Sequence, residues 1–173
     1  MPIAGIDIGV RGAIALLSDD GELQEVWDMP CLNDGPKARR TINAALFAEL
    51  VYKTHATRAF IERVGPRPGE GAVGAFAFGD CNGVIRGVLA AVAIPVQYIM
   101  PAQWKRLVGI PPGKAGAKDA ARSEAIRRWP GKAGLFRLVQ DHGKAEAALI
   151  AVAGMLRESS TLIRRPREPK AAE

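Results

Sequence analysis

Cysteine and histidine are scarce in this chain. Its 173 residues include two cysteines, Cys31 and Cys81, and two histidines, His55 and His142. The cysteines lie far apart in the sequence, and neither residue type occurs at the spacing of a zinc site. We therefore expect both cysteines to be reduced packing residues, which fits a cytoplasmic protein.

Long apolar runs and several widespread catalytic motifs are also missing. No apolar run is long enough to span a membrane, and Asp7 and Arg11 interrupt the apolar N-terminus that a signal peptide would need. The sequence contains neither a Gly-Xaa-Ser-Xaa-Gly motif nor a Walker-type phosphate loop. What is left is a soluble globular domain whose chemistry must come from other residues.

Positive charge is abundant but unevenly distributed. Residues 100–144 hold ten basic and three acidic side chains, a net charge of +7. Residues 1–99 hold nine basic and eleven acidic side chains, a net charge of −2. A basic segment of this kind predicts a polyanionic partner, most simply nucleic acid, although a merely solvated basic face is the alternative.

The order of apolar runs and turn residues predicts one mixed α/β domain over residues 1–157. The first three strands form an antiparallel meander, and two later strands alternate with helices. The predicted strands are 3–9, 13–17, 23–29, 57–62 and 94–100, and the predicted helices are 41–53, 72–91, 102–108, 118–129 and 145–156. Residues 31–40 and 109–116 are predicted loops, and residues 158–173 a basic, disordered tail.

Carboxylates occupy the ends of predicted strands and the start of the last predicted helix. Asp7 is the only charged residue in the apolar run 3–10, where an unpaired carboxylate would cost several kcal/mol. Its simpler interpretation is an Asp that ends a strand at a turn. Glu62 ends the fourth strand, and Asp141 and Glu146 lie near the last helix. Such acids, if they converge, require divalent cations, Mg²⁺ or Mn²⁺, and support two-metal phosphodiester hydrolysis.

Three motifs together resemble the RuvC-type Holliday junction resolvases of the RNase H-like superfamily, in the small form found in phages and prophages. They are Gly5-Ile6-Asp7-Ile8-Gly9, Phe60-Ile61-Glu62-Arg63-Val64 and the run from Asp141-His142-Gly143 through Glu146 to Ala151. The resemblance implies an RNase H-like fold: a mixed central sheet, antiparallel in its first three strands and then parallel, with helices on both faces. It also implies a cytoplasmic homodimer, in a bacterial or phage-infected cell, that nicks two opposed strands of a four-way DNA junction with two Mg²⁺ or Mn²⁺ ions per site.

The resemblance assigns metal ligands to Asp7, Glu62 and Glu146. The family's remaining ligand lies three residues before the last acid, where this chain has Gly143. Asp141 is the first candidate for that ligand and His142 is its rival. His142 and Glu146 would share a helix face, whereas Asp141 would need to be redirected at the helix cap. The alternative for Asp141 is a capping residue with no metal role.

Basic residues of the segment 100–144 are predicted to bind the substrate. Lys105 and Lys118 resemble the family's lysines near the scissile phosphate, and Lys118 is the predicted catalytic lysine. A generic phosphate contact or a solvated face is the alternative for both. The predicted nucleic-acid contacts are Lys105, Arg106, Lys114, Lys118 and Arg122.

The chain departs from the family at the aromatic residue that follows the second acid. Gly65 and Pro66 follow Val64 here, and we expect Phe76 and Phe78 on the next helix to be core residues, as we do Trp104. Two other functions stay open: another RNase H-like nuclease acting on flaps, forks or RNA, and a non-catalytic nucleic-acid-binding module.

Overall fold

The fold consists of seven strands and five α-helices within the residues that the computed structural model describes. These residues are 1–35, 39–65, 69, 71–111 and 117–163, with the side chains of 35, 117, 118 and 161–163 excepted. The strands are β1 (Ile3–Asp7), β2 (Ala13–Leu17), β3 (Leu23–Asp28), β4 (Cys31–Gly35), β5 (Arg39–Ile42), β6 (Arg58–Glu62) and β7 (Val96–Ile99). The helices are α1 (Ala44–Thr54), α2 (Ala72–Ala91), α3 (Pro101–Leu107), α4 (Ala117–Arg128) and α5 (His142–Ile163).

Five strands form the central sheet, in the order β3-β2-β1-β6-β7. The first three strands pair antiparallel, whereas β6 pairs parallel with both β1 and β7. This mixed sheet confirms the predicted architecture. Its central strand, β1, is buried on both sides because helices cover both faces of the sheet.

Each face of the sheet has its own apolar core. Side chains of Ile3 and Phe60 pack with α3, α4 and α5, and side chains of Ile6 and Ile61 pack with α1 and α2. Alternation along the strands explains this division, since successive residues of a strand point to opposite faces. The helix α5 lies closest to the sheet at Gly5, where an added Cβ would stand 2.1 Å from the Ala147 carbonyl oxygen.

The predicted loop at 31–40 is wrong, because β4 and β5 pair as an antiparallel hairpin. Asn33, Asp34 and Gly35, which indicated a loop, belong to β4, and the residues of the two strands show no apolar alternation. Leu32, Arg39 and Arg40 are exposed, so backbone pairing rather than burial holds the hairpin together. Residues 36–38, between the two strands, lie outside the described residues.

Helix boundaries also differ from prediction. Asn43, not Thr41, caps α1, and its side-chain oxygen accepts a hydrogen bond from the Leu46 N–H at 3.1 Å. The last helix starts at His142 and continues to Ile163, past residue 157, where the predicted domain ends. Glu158 is tied back to the sheet by an ion pair with Arg58 at 2.8 Å. Residues 164–173 lie outside the described residues, so the disordered tail stays a prediction.

Two smaller expectations concern the cysteines and the membrane. Cys31 and Cys81 are both free thiols, and Cys81 is buried in the core between the sheet and α2, as predicted for packing residues. Within the described ranges, no helix has the length and apolar character that crossing a bilayer would require.

Candidate active site

The carboxyl ends of β1 and β6 bring Asp7 and Glu62 to one edge of the sheet. The parallel register pairs Ile6 with Ile61, so these two acids are the next residues along neighbouring strands. Residues two apart in a strand point to the same face of the sheet. Asp7 is two residues after Gly5, and Glu62 is two residues after Phe60. Since Gly5 and Phe60 face α5, both acids point toward α5. The predicted convergence of these two acids is therefore built into the strand register.

The first turn of α5 lies directly against Asp7. A Cβ added to Gly143 would stand 2.6 Å from the Arg11 carbonyl oxygen and 3.1 Å from Asp7 Oδ2. Only glycine allows this approach, because backbone atoms of the β1–β2 turn cannot give way to a side chain. Position 143 thus faces Asp7 but has no room for a side chain that could bind a metal. Any further metal ligand must come from the neighbouring side chains.

An open cavity of about 1100 Å³ collects the candidate ligands. Asp7, Glu62, His142 and Glu146 all line it. Three carboxylates and an imidazole are donors that suit Mg²⁺ or Mn²⁺, so the residue chemistry fits such ions. In the part of the chain that is described, no three His, Cys, Asp or Glu side chains are yet close enough to hold one ion, and coordination would require these side chains to rotate inward.

Asp141 has a different environment. It is 6% exposed, and it is not among the residues that line the cavity. Its Oδ2 accepts the Leu138 N–H at 2.8 Å, and its Oδ1 accepts from Lys144 Nζ at 3.2 Å. These are the contacts of a capping carboxylate. Burial opposes the charge on Lys144, but hydrogen bonds to Asp141 and Asp28 outweigh it and raise the pKa of the Lys144 ammonium.

His142 reaches the cavity where Asp141 does not. Its Nδ1 lies 3.2 Å from the Val139 carbonyl oxygen. In the tautomer that carries the proton on Nδ1, this nitrogen donates to that carbonyl and Nε2 keeps its lone pair. A backbone acceptor on one ring nitrogen is the usual way in which proteins orient a metal-binding imidazole.

Glu62 is held by Trp104, which the sequence indicated only as a core residue. The fully buried Trp104 donates its indole N–H to Glu62 Oε1 at 2.6 Å. This short, charge-assisted bond fixes the carboxylate and leaves its second oxygen for other partners. Lys105 Nζ lies 5.2 Å from the centre of the Trp104 ring, so one aromatic side chain contacts both a candidate ligand and a candidate phosphate-binding lysine. Trp104 is a core residue, as predicted, but its N–H also gives it a positioning role.

Replacing Trp104 with Phe is expected to lower Mn²⁺ affinity about 10- to 100-fold, the usual effect of losing a group that orients a metal ligand. The apolar ring is largely kept, whereas the N–H is lost. Isothermal titration calorimetry would measure the change in the absence of DNA. Trp129→Phe is the matched control, because Trp129 is also buried and donates its N–H to the Gly21 carbonyl, away from the cavity, at 3.3 Å. Equal Mn²⁺ affinity in the two variants would contradict the positioning role.

The predicted nucleic-acid contacts have unequal environments. Arg106 is exposed and Lys105 is half-buried on α3. Arg122 is engaged within the protein: its side chain is 16% exposed, pairs with Asp119 and donates to the Arg137 carbonyl at 3.0 Å. Through these contacts, Arg122 connects α4 to the segment that follows it. Lys114 lies outside the described residues, and Lys118 is described only as a backbone position in the first turn of α4.

Several cavity residues carried no clear sequence signal. Arg11, Arg39 and Arg40 line the cavity from the β1–β2 turn and the hairpin. Phe76 also lines it and is 80% exposed, so its assignment to the core is wrong, whereas Phe78 packs partly against the core. The run Lys37-Ala38-Arg39-Arg40 was visible as a basic group, but only the fold brings Arg39 and Arg40 to the acids.

Protein-family models give no match to the chain, and neither do curated protein sequences. Solved structures do. The RuvC structure from Thermus thermophilus superposes with a TM-score of 0.62 at 19% identity, covering 93% of this chain and 97% of that one. The same organism's RuvC in complex with a Holliday junction substrate gives 0.60 at 18% identity, covering 92% and 96%.

A viral protein has the same architecture. The fowlpox virus Holliday junction resolvase superposes with a TM-score of 0.59 at 14% identity, covering 92% of this chain and 99% of that one. Coverage is nearly complete in both directions, so the similarity concerns the whole domain and not a shared fragment. The chain therefore has the RNase H-like fold of the RuvC-type Holliday junction resolvase structures.

Proposed function

We propose that this protein is a metal-dependent, structure-selective endodeoxyribonuclease that resolves four-way DNA junctions by paired nicks, in recombination or repair. One observation carries the proposal: Asp7, Glu62, Glu146 and His142 line the same cavity. Carboxylates at adjacent ends of parallel strands, in a chain with the fold of known resolvases, are suited to phosphodiester hydrolysis. The cavity is open to solvent, so a DNA strand can enter it. The strongly basic segment nearby attracts the phosphates of that strand.

The proposed metal ligands are Asp7, Glu62, Glu146 and, as the fourth donor, His142 in place of Asp141. Two Mg²⁺ or Mn²⁺ ions bound there would supply an activated water and stabilise the leaving oxygen. Trp104 fixes the direction of the Glu62 carboxylate through its N–H. Lys105, and Lys118 as the proposed catalytic lysine, add positive charge beside the phosphate, where it counters charge that develops in the transition state.

The exposed ring of Phe76 stands at the rim of the cavity. A solvent-exposed aromatic side chain beside a phosphate-binding site is suited to stacking on an unpaired base. We propose that Phe76 contacts bases at the opened centre of the junction. It would do so from α2, ten residues beyond Pro66, near which the family's aromatic residue is expected.

Cleavage assays with four DNA and RNA substrates test the proposed function. A four-way junction, a replication fork, a linear duplex and an RNA–DNA hybrid would be incubated with the protein and Mg²⁺ or Mn²⁺. We expect paired nicks in the junction and little cleavage of the linear duplex. Preferential cutting of the fork or the hybrid would identify another RNase H-like nuclease. Binding without cleavage under either ion would favour a non-catalytic module.

Two symmetric nicks require two active sites, so we also propose a homodimer. The outward face of α2 carries Gly79, Gly83 and Gly87, which are exposed and have open space where a Cβ would be. Close helix packing uses such a face. The face begins beside Phe76 and the cavity, which would place the two sites near one junction centre.

Gly83→Glu is expected to convert the dimer to a monomer in analytical ultracentrifugation. In a single chain the new side chain meets open space, and Glu is favoured over Gly in a helix by about 0.5–1 kcal/mol. Loss of the dimer would therefore report on the interface and not on folding. Ala45→Glu, on the exposed start of α1, is the control with the same charge change. A dimer that survives Gly83→Glu would place the interface elsewhere.

A further inference from the structure

The β4–β5 hairpin forms one wall of the cavity through exposed basic side chains. Arg39 and Arg40 of β5 are both exposed and both line the cavity, and Arg11 lines it from the neighbouring β1–β2 turn. We call Arg11, Arg39 and Arg40 the arginine wall. None of the three belongs to the basic segment 100–144, so they are a second and separate source of positive charge at the site.

The hairpin is fixed to the turn that carries Arg11. The Met29 N–H donates to the Gly12 carbonyl at 3.0 Å, and the Cys31 thiol lies 3.5 Å from the Val10 carbonyl oxygen. At the other end, the Asn43 N–H donates to the Pro30 carbonyl at 2.9 Å, and Ile42 is buried against the core on the α2 side. The wall is therefore a defined surface of the fold.

The three side chains of the arginine wall form no ion pair within the described part of the chain. Arg58, Arg122 and Arg127, by contrast, are each paired with an acid. Exposed guanidinium groups that line an open cavity and are not paired with a described acid can bind an external anion.

The hairpin that carries Arg39 and Arg40 and the helix α3 that carries Lys105 and Arg106 pack on opposite faces of the sheet. Ile42 packs in the core shared with α1 and α2, whereas Trp104 of α3 packs in the core shared with α5. Asp7 and Glu62 lie between them at the edge of the sheet. A strand of DNA placed over the acids would thus meet positive charge on both flanks.

We propose that the arginine wall binds the phosphodiester backbone of the DNA substrate next to the scissile phosphate, on the flank opposite Lys105 and Arg106 of α3. This inference rests on the proposed function and adds a binding surface to it. A phosphodiester backbone can contact both the metal ions that the acids would hold and the guanidinium groups of the wall, because both bind phosphate oxygens. The exposed Phe76 ring on the same cavity suits a nucleic acid as well.

The salt dependence of junction binding tests the wall. Fluorescence anisotropy would measure the affinity of the full chain for a labelled four-way junction over a KCl series without divalent ions. Each phosphate contact contributes about 0.9 to the slope of log affinity against log salt. Arg39→Gln and Arg40→Gln are each expected to reduce the slope by about 0.9, and the double variant by about 1.8. Lys53→Gln, an exposed position on α1 with the same charge change, should leave it unchanged.

Three outcomes would overturn the inference. The first is that the hairpin variants match Lys53→Gln while the wild type binds the junction. The second is that the double variant loses binding to a poly-glutamate peptide but keeps the wild-type slope on DNA, which would make the wall a protein-binding surface. The third is that the wild type binds no nucleic acid. A wild type that binds but never cuts would contradict the proposed function alone, and the slopes would still decide the role of the wall.

Discussion

Asp7→Asn or Glu146→Gln is expected to lower the rate of junction cleavage about 1000-fold, in line with losing a group that stabilises the transition state. Binding of the junction should survive. Both acids line the cavity beside the proposed path of the DNA, and each variant removes one negative charge while keeping the shape of the side chain. Single-turnover cleavage with Mg²⁺ would measure the rate, and anisotropy would measure binding.

The same two variants, which lower the cleavage rate, are expected to raise the affinity for the junction when divalent ions are absent. Without divalent ions, clustered carboxylates repel the phosphates of the substrate. Junction affinity in EDTA should therefore increase in both variants. Glu25→Gln, an exposed acid on β3 away from the cavity, is the control and should change neither the rate nor the affinity. If the Asp7 and Glu146 variants cleave the junction at the wild-type rate, these acids take no part in the chemistry and have only a structural role.

His142→Ala and Asp141→Asn are expected to separate catalysis from stability. His142→Ala removes a donor that lines the cavity, so Mn²⁺ affinity and cleavage should fall about 10- to 100-fold, as for other lost ligand-shell groups. Asp141→Asn keeps an acceptor for the Leu138 N–H but loses the charge that faces Lys144. We expect it to cost about 1 kcal/mol of unfolding free energy and to keep nearly wild-type cleavage below its melting temperature.

The outcome decides between the two candidates for the fourth ligand. Calorimetry with Mn²⁺, denaturant unfolding and cleavage rates would be measured for both variants. Loss of cleavage in a folded Asp141→Asn, with His142→Ala unaffected, would restore Asp141 as the ligand that the sequence favoured. It would also require Asp141 to leave its contacts with Leu138 and Lys144 when metal binds.

The strands and the two acids on them could be predicted because their signals are local. Continuous apolar runs ending in an acid predicted β1 and β6, and the parallel pairing of these strands in the fold then places Asp7 and Glu62 side by side. The β4–β5 hairpin could not be predicted in this way. Leu32, Arg39 and Arg40 are exposed, so its strands carry no apolar pattern, and the turn signal alone did not reveal their pairing.

The sequence by itself therefore predicted the candidate site: acids at strand ends, a last helix that brings Glu146, and a basic segment beside them. Tertiary structure decided the other members of that site. The contact of Gly143 with the β1–β2 turn leaves no room for a ligand there, and the capping role of Asp141 turns it away from the cavity that His142 lines. Trp104 contacts Glu62 from a distant part of the chain, and the arginine wall lines the same cavity as the acids. Such contacts depend on how helices and hairpin pack across the sheet, which no local spacing of residues encodes.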